Sequence, residues 1–219
     1  MGDLRMYAIS INEVRDMFGA TPQVAGQLRK IASETFRVEP PERSPGMLGL
    51  LGPLWRRSPE APVVPHDTPL PSDIETVLAG RFVAPERLEV CWRLVDVWLS
   101  ARCLGEHRMQ RTAQQVDQLE FELTRAGLPS QFGIGKLMAL DAQLPLRPRP
   151  GMKVGYCKHA HVIASARALQ AVLPEVLPHS RERAEALWAF LDGFQAWGEA
   201  ARTSGRPLPD LFVSFDTQG

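Results

Sequence analysis

Apolar positions recur along this chain with two periods. A period of two marks residues 6–11 (Met-Tyr-Ala-Ile-Ser-Ile), 153–157 (Lys-Val-Gly-Tyr-Cys) and 211–215 (Leu-Phe-Val-Ser-Phe), and predicts three short strands. A helical period governs most of the rest. Val24, Leu28, Ile31, Ala32 and Phe36 form one stripe. Leu88, Cys91, Leu94, Val95, Trp98 and Leu99 form another within 86–104. Val116, Leu119 and Leu123, with Phe121 beside them, predict a helix over 109–126, and Leu137, Met138 and Leu140 a shorter one over 135–144. Val162, Ile163, Ala166, Leu169 and Leu173 fall on one face of 160–173. The last helical stretch has a wide apolar face, Leu187, Phe190, Leu191, Phe194, Trp197 and Ala201, as expected of a helix covered on more than one side.

Punctuation supports these assignments. Asn12 is placed to cap a short helix that Gly19 stops. Thr21 and Pro22 supply a cap and a first helical residue. Ser72 or Asp73 opens a short helix over 74–78, Gly80, Gly105 and Gly127 terminate helices, and Ser180 caps the last one. Three separated strands have to pair, because an isolated strand leaves its backbone groups unsatisfied. The expected fold is α+β: a predominantly helical single domain over residues 1–219. A small sheet of about three short strands joins its N- and C-terminal segments.

One segment breaks the pattern. Nine of the 19 prolines lie within residues 38–72, so that stretch is neither a continuous helix nor a central strand. Inside it sits a strongly apolar run containing Met47, Leu48, Leu50, Leu51, Leu54 and Trp55. An apolar run in a long loop has to be covered by something, and aromatic residues dominate interface hot spots. These six residues are the candidate partner-binding site.

Composition narrows the functional classes. Formal charge is zero, with 25 basic and 25 acidic residues, so the basic footprint of a nucleic-acid-binding protein is missing. No apolar run is long enough to span a membrane, and the opening residues lack the apolar core of a signal peptide. Three cysteines make no disulfide framework. A reduced cytoplasmic setting is the expectation.

The sharpest chemical cluster is Cys157, His159 and His161. Thiolate and imidazole suit zinc, and alternate residues of a strand share a face. Cys103, His107, His66 or His179 would have to supply a fourth ligand. The competing reading is a strand end running into a helix cap, with both histidines exposed. Cys103 is read as a core cysteine rather than as half of a catalytic pair with His107. Gly133-Ile-Gly135-Lys136 is a fragment of a phosphate loop without its full spacing. No motif calls for a cofactor.

The Tyr7, Ile9, Ile11 strand, the Gly155-Tyr156 step before a helix, and the stretch from Ala200 to a closing strand at Phe215 carry a resemblance. In layout the chain resembles small bacterial proteins of unknown function typified by YfbM, and an actinobacterial group of similar design. The resemblance supplies no catalytic residues, and residues 38–72 have no counterpart in it. It implies accessory proteins near toxin or defence loci. The expectation is therefore a non-catalytic protein-protein interaction protein of the immunity or antitoxin type, masking a toxin or enzyme partner. The alternatives are a zinc protein using Cys157, His159 and His161, and a homo-oligomeric structural module.

Overall fold

The structure, a computed structural model, describes residues 2–36 and 68–217. In chain order they form β1 (Asp3–Ile9), α1 (Ile11–Arg15), α2 (Pro22–Thr35), α3 (Pro71–Leu78), α4 (Leu88–Arg102), β2 (Glu106–Gln110), α5 (Ala113–Arg125), β3 (Met152–Cys157), α6 (His159–Val172), α7 (Pro178–Thr203) and β4 (Asp210–Asp216). The strands make one antiparallel sheet in the order β2-β1-β4-β3. The expected α+β class therefore holds, with four strands rather than three.

The sheet is covered on both faces. Leu4, Met6, Ala8, Leu211, Val213 and Phe215 point to one side, where they join Leu123 of α5, Val162 of α6 and Phe194 of α7. Tyr7, Ile9 and Phe212 point to the other, against Val14 of α1, Leu28 of α2, Val77 of α3 and Trp98 of α4. β4 lies between β1 and β3, so all seven of its residues are buried. Successive strand residues face opposite ways, which is why two separate apolar sets are needed along one strand.

The missed strand is β2. The hydrophobic pattern gives residues from 109 onward to a helix. In the structure, Glu106–Gln110 pairs with β1, and α5 starts three residues later behind a reciprocal Thr112–Gln115 cap. Met109 is the one buried residue of β2, too little for an alternation signal. α4 ends at Arg102, and the backbone turns extended at Cys103 rather than at Gly105. Gly105 instead lies beneath the Trp197 ring and gives its carbonyl to Ala8 N at 2.8 Å.

Other boundaries shift for local reasons. Ser10, not Asn12, caps α1 by accepting from Asn12 N at 3.3 Å. α3 opens at Pro71, with Asp73 reaching back to Leu70 N at 2.7 Å. α7 opens at Pro178, which places Ser180 inside its first turn. Phe121 is 64% exposed rather than inward. The stretch expected to be a helix over 135–144 is a 3-10 turn, Ile134–Met138, followed by extended chain in which Leu140 bridges Tyr156. The Met138 carbonyl crosses directly over Gly155.

Two glycines separate close approach from mere tolerance. A Cβ on Gly155 falls on the Met138 carbonyl, whereas a Cβ on Gly26 in α2 meets open space. Gly155→Ala should lower unfolding free energy by about 1–3 kcal/mol through overpacking. Gly26→Ala should raise it by about 0.5–1 kcal/mol through helix propensity. Urea melts of both variants check the pair.

Candidate functional site

The residues proposed from sequence as metal ligands do not converge. β3 ends at Cys157 and α6 begins at His159, so the two-residue alternation that would align them stops after Cys157. Cys157 is buried, and its thiol lies 3.8 Å from the Lys158 carbonyl. His159 is held by Nδ1 against Pro209 O at 2.9 Å, and its ring is seated over Gly198, where a Cβ would come within 2.9 Å. His161 packs on Phe132, and its Nε2 is buried without a hydrogen-bond partner among the described residues. No group of three or more His, Cys, Asp or Glu side chains among the described residues is placed to hold a metal ion. The cluster is a strand-to-helix junction, as the competing sequence reading had it, except that Cys157 is buried and neither histidine is fully exposed.

The other sequence candidates resolve similarly. Cys103 bonds the Ser100 carbonyl at 3.5 Å, while His107 lies on β2 with its ring stacked 5.4 Å from Phe190. Burial pushes the thiols of Cys91 and Cys103 up to about 11 and that of Cys157 to about 12, with the Asp210 charge contributing to the last. All three stay protonated near neutral pH, and a protonated thiol is a poor nucleophile. At the phosphate-loop fragment, Gly135 N donates to the Glu120 carboxylate at 2.9 Å, so the chain's own acid occupies that amide. Met47, Leu48, Leu50, Leu51, Leu54 and Trp55 lie outside the described residues.

A site the hydrophobic pattern does not mark lies where α4 crosses the sheet near the start of β1. Asp3 and Arg5 share the face of β1 that carries Tyr7. Their direct cross-strand neighbours are unfavourable, since Asp3 stands opposite Asp216 and Arg5 opposite Arg108. Diagonal pairing resolves both clashes. Arg108 bonds Asp3 through Nε and NH2, each at 2.7 Å, and Arg5 Nε reaches Asp3 at 2.6 Å. Arg149, from the connector before β3, pairs with Asp216. From α4, Asp96 closes the network with Arg5 on one carboxylate oxygen and the Tyr7 hydroxyl on the other at 3.3 Å.

The charges in this network respond to burial and to each other. Burial pushes the Asp96 carboxyl up to about 6, although Arg5 and Tyr7 both act to lower it. Burial disfavours the Arg5 charge as well, but Asp96 and Asp3 outweigh it and hold Arg5 firmly cationic. The two partners thus move in a way a simple ion pair would not. Desolvation dominates for the carboxyl, whose side chain is 14% exposed, against 28% for the guanidinium. Asp3 is desolvated too, yet hydrogen bonds from Arg108 and Arg5 keep it below its ordinary value. Burial raises the Tyr7 hydroxyl, and the Asp96 charge adds to that.

Among the described residues the network lines two adjoining clefts that share Arg5, Arg93 and Asp96. One, of about 670 Å³, runs between α4 and the end of α2 past Ile31 and Phe36. The other, of about 200 Å³, is floored by Ser214 and Asp216 and walled by Glu89 and Trp92. Glu89, Arg93 and Asp96 follow one another at four- and three-residue spacing, so α4 carries a charged face beside its apolar one. That spacing, with Asp3 and Arg5 alternating on a strand, was the available sequence signal.

Searches against protein-family models, curated proteins and solved structures found no match for this chain. No helix among the described residues is long and apolar enough to cross a membrane.

The raised Asp96 carboxyl has a definite consequence for stability. The folded chain holds this proton up to about pH 6, against an ordinary value of 3.8. This group alone therefore lowers stability as pH rises from about 4 to about 6, and the penalty is constant above that. Asp96→Asn mimics the protonated form. Relative to the native chain, the variant should gain on the order of 3 kcal/mol between pH 4 and pH 7. Urea melts at several pH values measure it, and a difference that stays flat over this range counts against the assignment.

Proposed function

We propose that this chain is a non-catalytic protein-binding protein, and that it acts in the manner of an immunity or antitoxin protein, masking the active surface of a toxin or enzyme. The observation that carries the binding reading is the pair of clefts beside α4. Their walls interleave arginines and carboxylates, and their mouths are bordered by the exposed Glu89 and Arg93. Charge patterns of this kind steer encounter and select partners. The masking role comes from the layout resemblance to YfbM-type proteins.

Two features favour binding over chemistry at this place. Each Asp96 oxygen already accepts a hydrogen bond from within the chain. The three thiols are held in their unreactive form. In this reading, the apolar run from Met47 to Trp55 supplies a second, hydrophobic contribution to the same partner.

Affinity capture from native extract, with the full chain immobilised, tests the proposal. A single protein should be retained in near-stoichiometric amount and should lose its activity when bound. Glu89→Lys/Arg93→Glu, which inverts the α4 charges at exposed positions, should weaken capture by about tenfold or more. Trp55→Ala tests the apolar run separately. Recovery of no partner, or of one indifferent to both variants, argues against the proposal.

A further inference from the structure

The sheet has two edges, and the chain's own connector bridges one of them at Tyr156. Along β3, Leu140 N donates to Tyr156 O at 3.2 Å, and Tyr156 N donates to Leu140 O at 2.9 Å. Along β2, the alternation of backbone groups is fixed by the flanks. Arg111 N donates to Gly2 O at 2.9 Å, and Ala8 N donates to Gly105 O at 2.8 Å. With Leu4 opposite Met109 and Met6 opposite His107, those two β2 residues turn their backbone groups to β1. Glu106, Arg108 and Gln110 turn theirs outward. Among the described residues these outward groups meet one partner, the Arg111 guanidinium on Gln110 O at 3.1 Å.

We propose that this edge pairs antiparallel with β2 of a second copy of the chain, about a two-fold axis through His107. In that register Glu106 of each copy faces Arg108 of the other, and both positions present outward backbone groups, so the ladder forms through them. Registers one step away do not work. An axis through Glu106 sets glutamate against glutamate. An axis through Arg108 sets arginine against arginine and leaves Glu106 facing Gln110. The register through His107 is the one that turns every charged cross-strand position into an attraction.

The side chains are free to do this. Glu106 is exposed and makes no ion pair among the described residues. The Arg108 side chain is 54% exposed. Its Nε and NH2 hold Asp3, which leaves three of its five N–H donors for a second carboxylate. His107 adds no like-charge clash at the axis, because burial lowers its pKa and its ring is turned into the core against Phe190. Charged edge residues commonly guard a strand against indiscriminate pairing. Here the guard is self-complementary in one register and repulsive in its neighbours, which selects a dimer over an open aggregate. This inference uses the strand edge, which meets the clefts only through the Arg108 contact to Asp3, and it stands whether or not the clefts bind a protein.

Sedimentation velocity of the full chain over a concentration series tests it. The native chain should show a concentration-dependent dimer. Glu106→Arg and Arg108→Glu each oppose like charges across the axis and should weaken dimerisation by about tenfold or more. Glu106→Arg/Arg108→Glu restores opposite charges and should return the dimer to within about threefold of native. Circular dichroism confirms that each variant is folded, and Glu106→Arg disturbs no internal ion pair, so its result does not depend on the Asp3 contact. A chain that stays monomeric at every concentration, leaving the edge to a foreign strand or to water, overturns the proposal. So does a dimer that ignores the single reversals, or one that the double reversal does not restore.

Discussion

Asp210, at the start of β4, holds three parts of the chain together with one buried carboxylate. Its oxygens accept from Ile11 N at the first turn of α1 and from His159 N at the first turn of α6, each at 3.2 Å. Lys158 Nζ approaches the same carboxylate at 3.4 Å. Helix N-termini carry unpaired amides and partial positive charge, and a carboxylate satisfies both. The acid is 6% exposed, so those amides have no ready substitute in water. Because β4 lies between β1 and β3, the same residue fixes where the last strand enters the sheet relative to helices on both of its faces. The junction that resembles a metal cluster in sequence, Cys157 to His161, is organised by this contact and by the Pro209 carbonyl on His159.

At the other end of the sheet the chain makes a different compromise. Like charges stand opposite each other across β1, and only the diagonal pairs and Asp96 from α4 make that arrangement tolerable. Burying one partner of a network strongly enough to raise its pKa is costly, and such sites are functional candidates as well as structural ones. The cost here falls beside the two clefts, where α4 exposes its charged face. The charged clefts at this end and the outward-facing edge of β2 are separate surfaces of one scaffold.

The class of the fold was legible because the strands at 153–157 and 211–215 and the stripes of α4, α6 and α7 are strongly periodic. β2 was illegible for a physical reason: an edge strand with charges on its outer positions and one buried Met has no apolar alternation to detect. The turn at Ile134–Met138 carries helical spacing because a 3-10 turn buries residues three apart just as a helix does. The clefts were hidden because ion pairs such as Arg5–Asp96 and Arg149–Asp216 join residues far apart in sequence, and no local pattern encodes them. Conversely, Cys157, His159 and His161 drew notice through local spacing alone, and the change from strand to helix between them removed the shared face on which that reading relied.

The dependence of the fold on Asp210 is the claim most directly open to measurement, by urea denaturation of Asp210→Ala and Asp210→Asn against the native chain. Loss of a buried charged acceptor serving two helix amides should cost at least about 3 kcal/mol in the alanine variant. Asparagine, which keeps one acceptor oxygen, should recover part of that loss. An alanine variant within about 0.5 kcal/mol of native, the range of an ordinary surface substitution, would contradict the account.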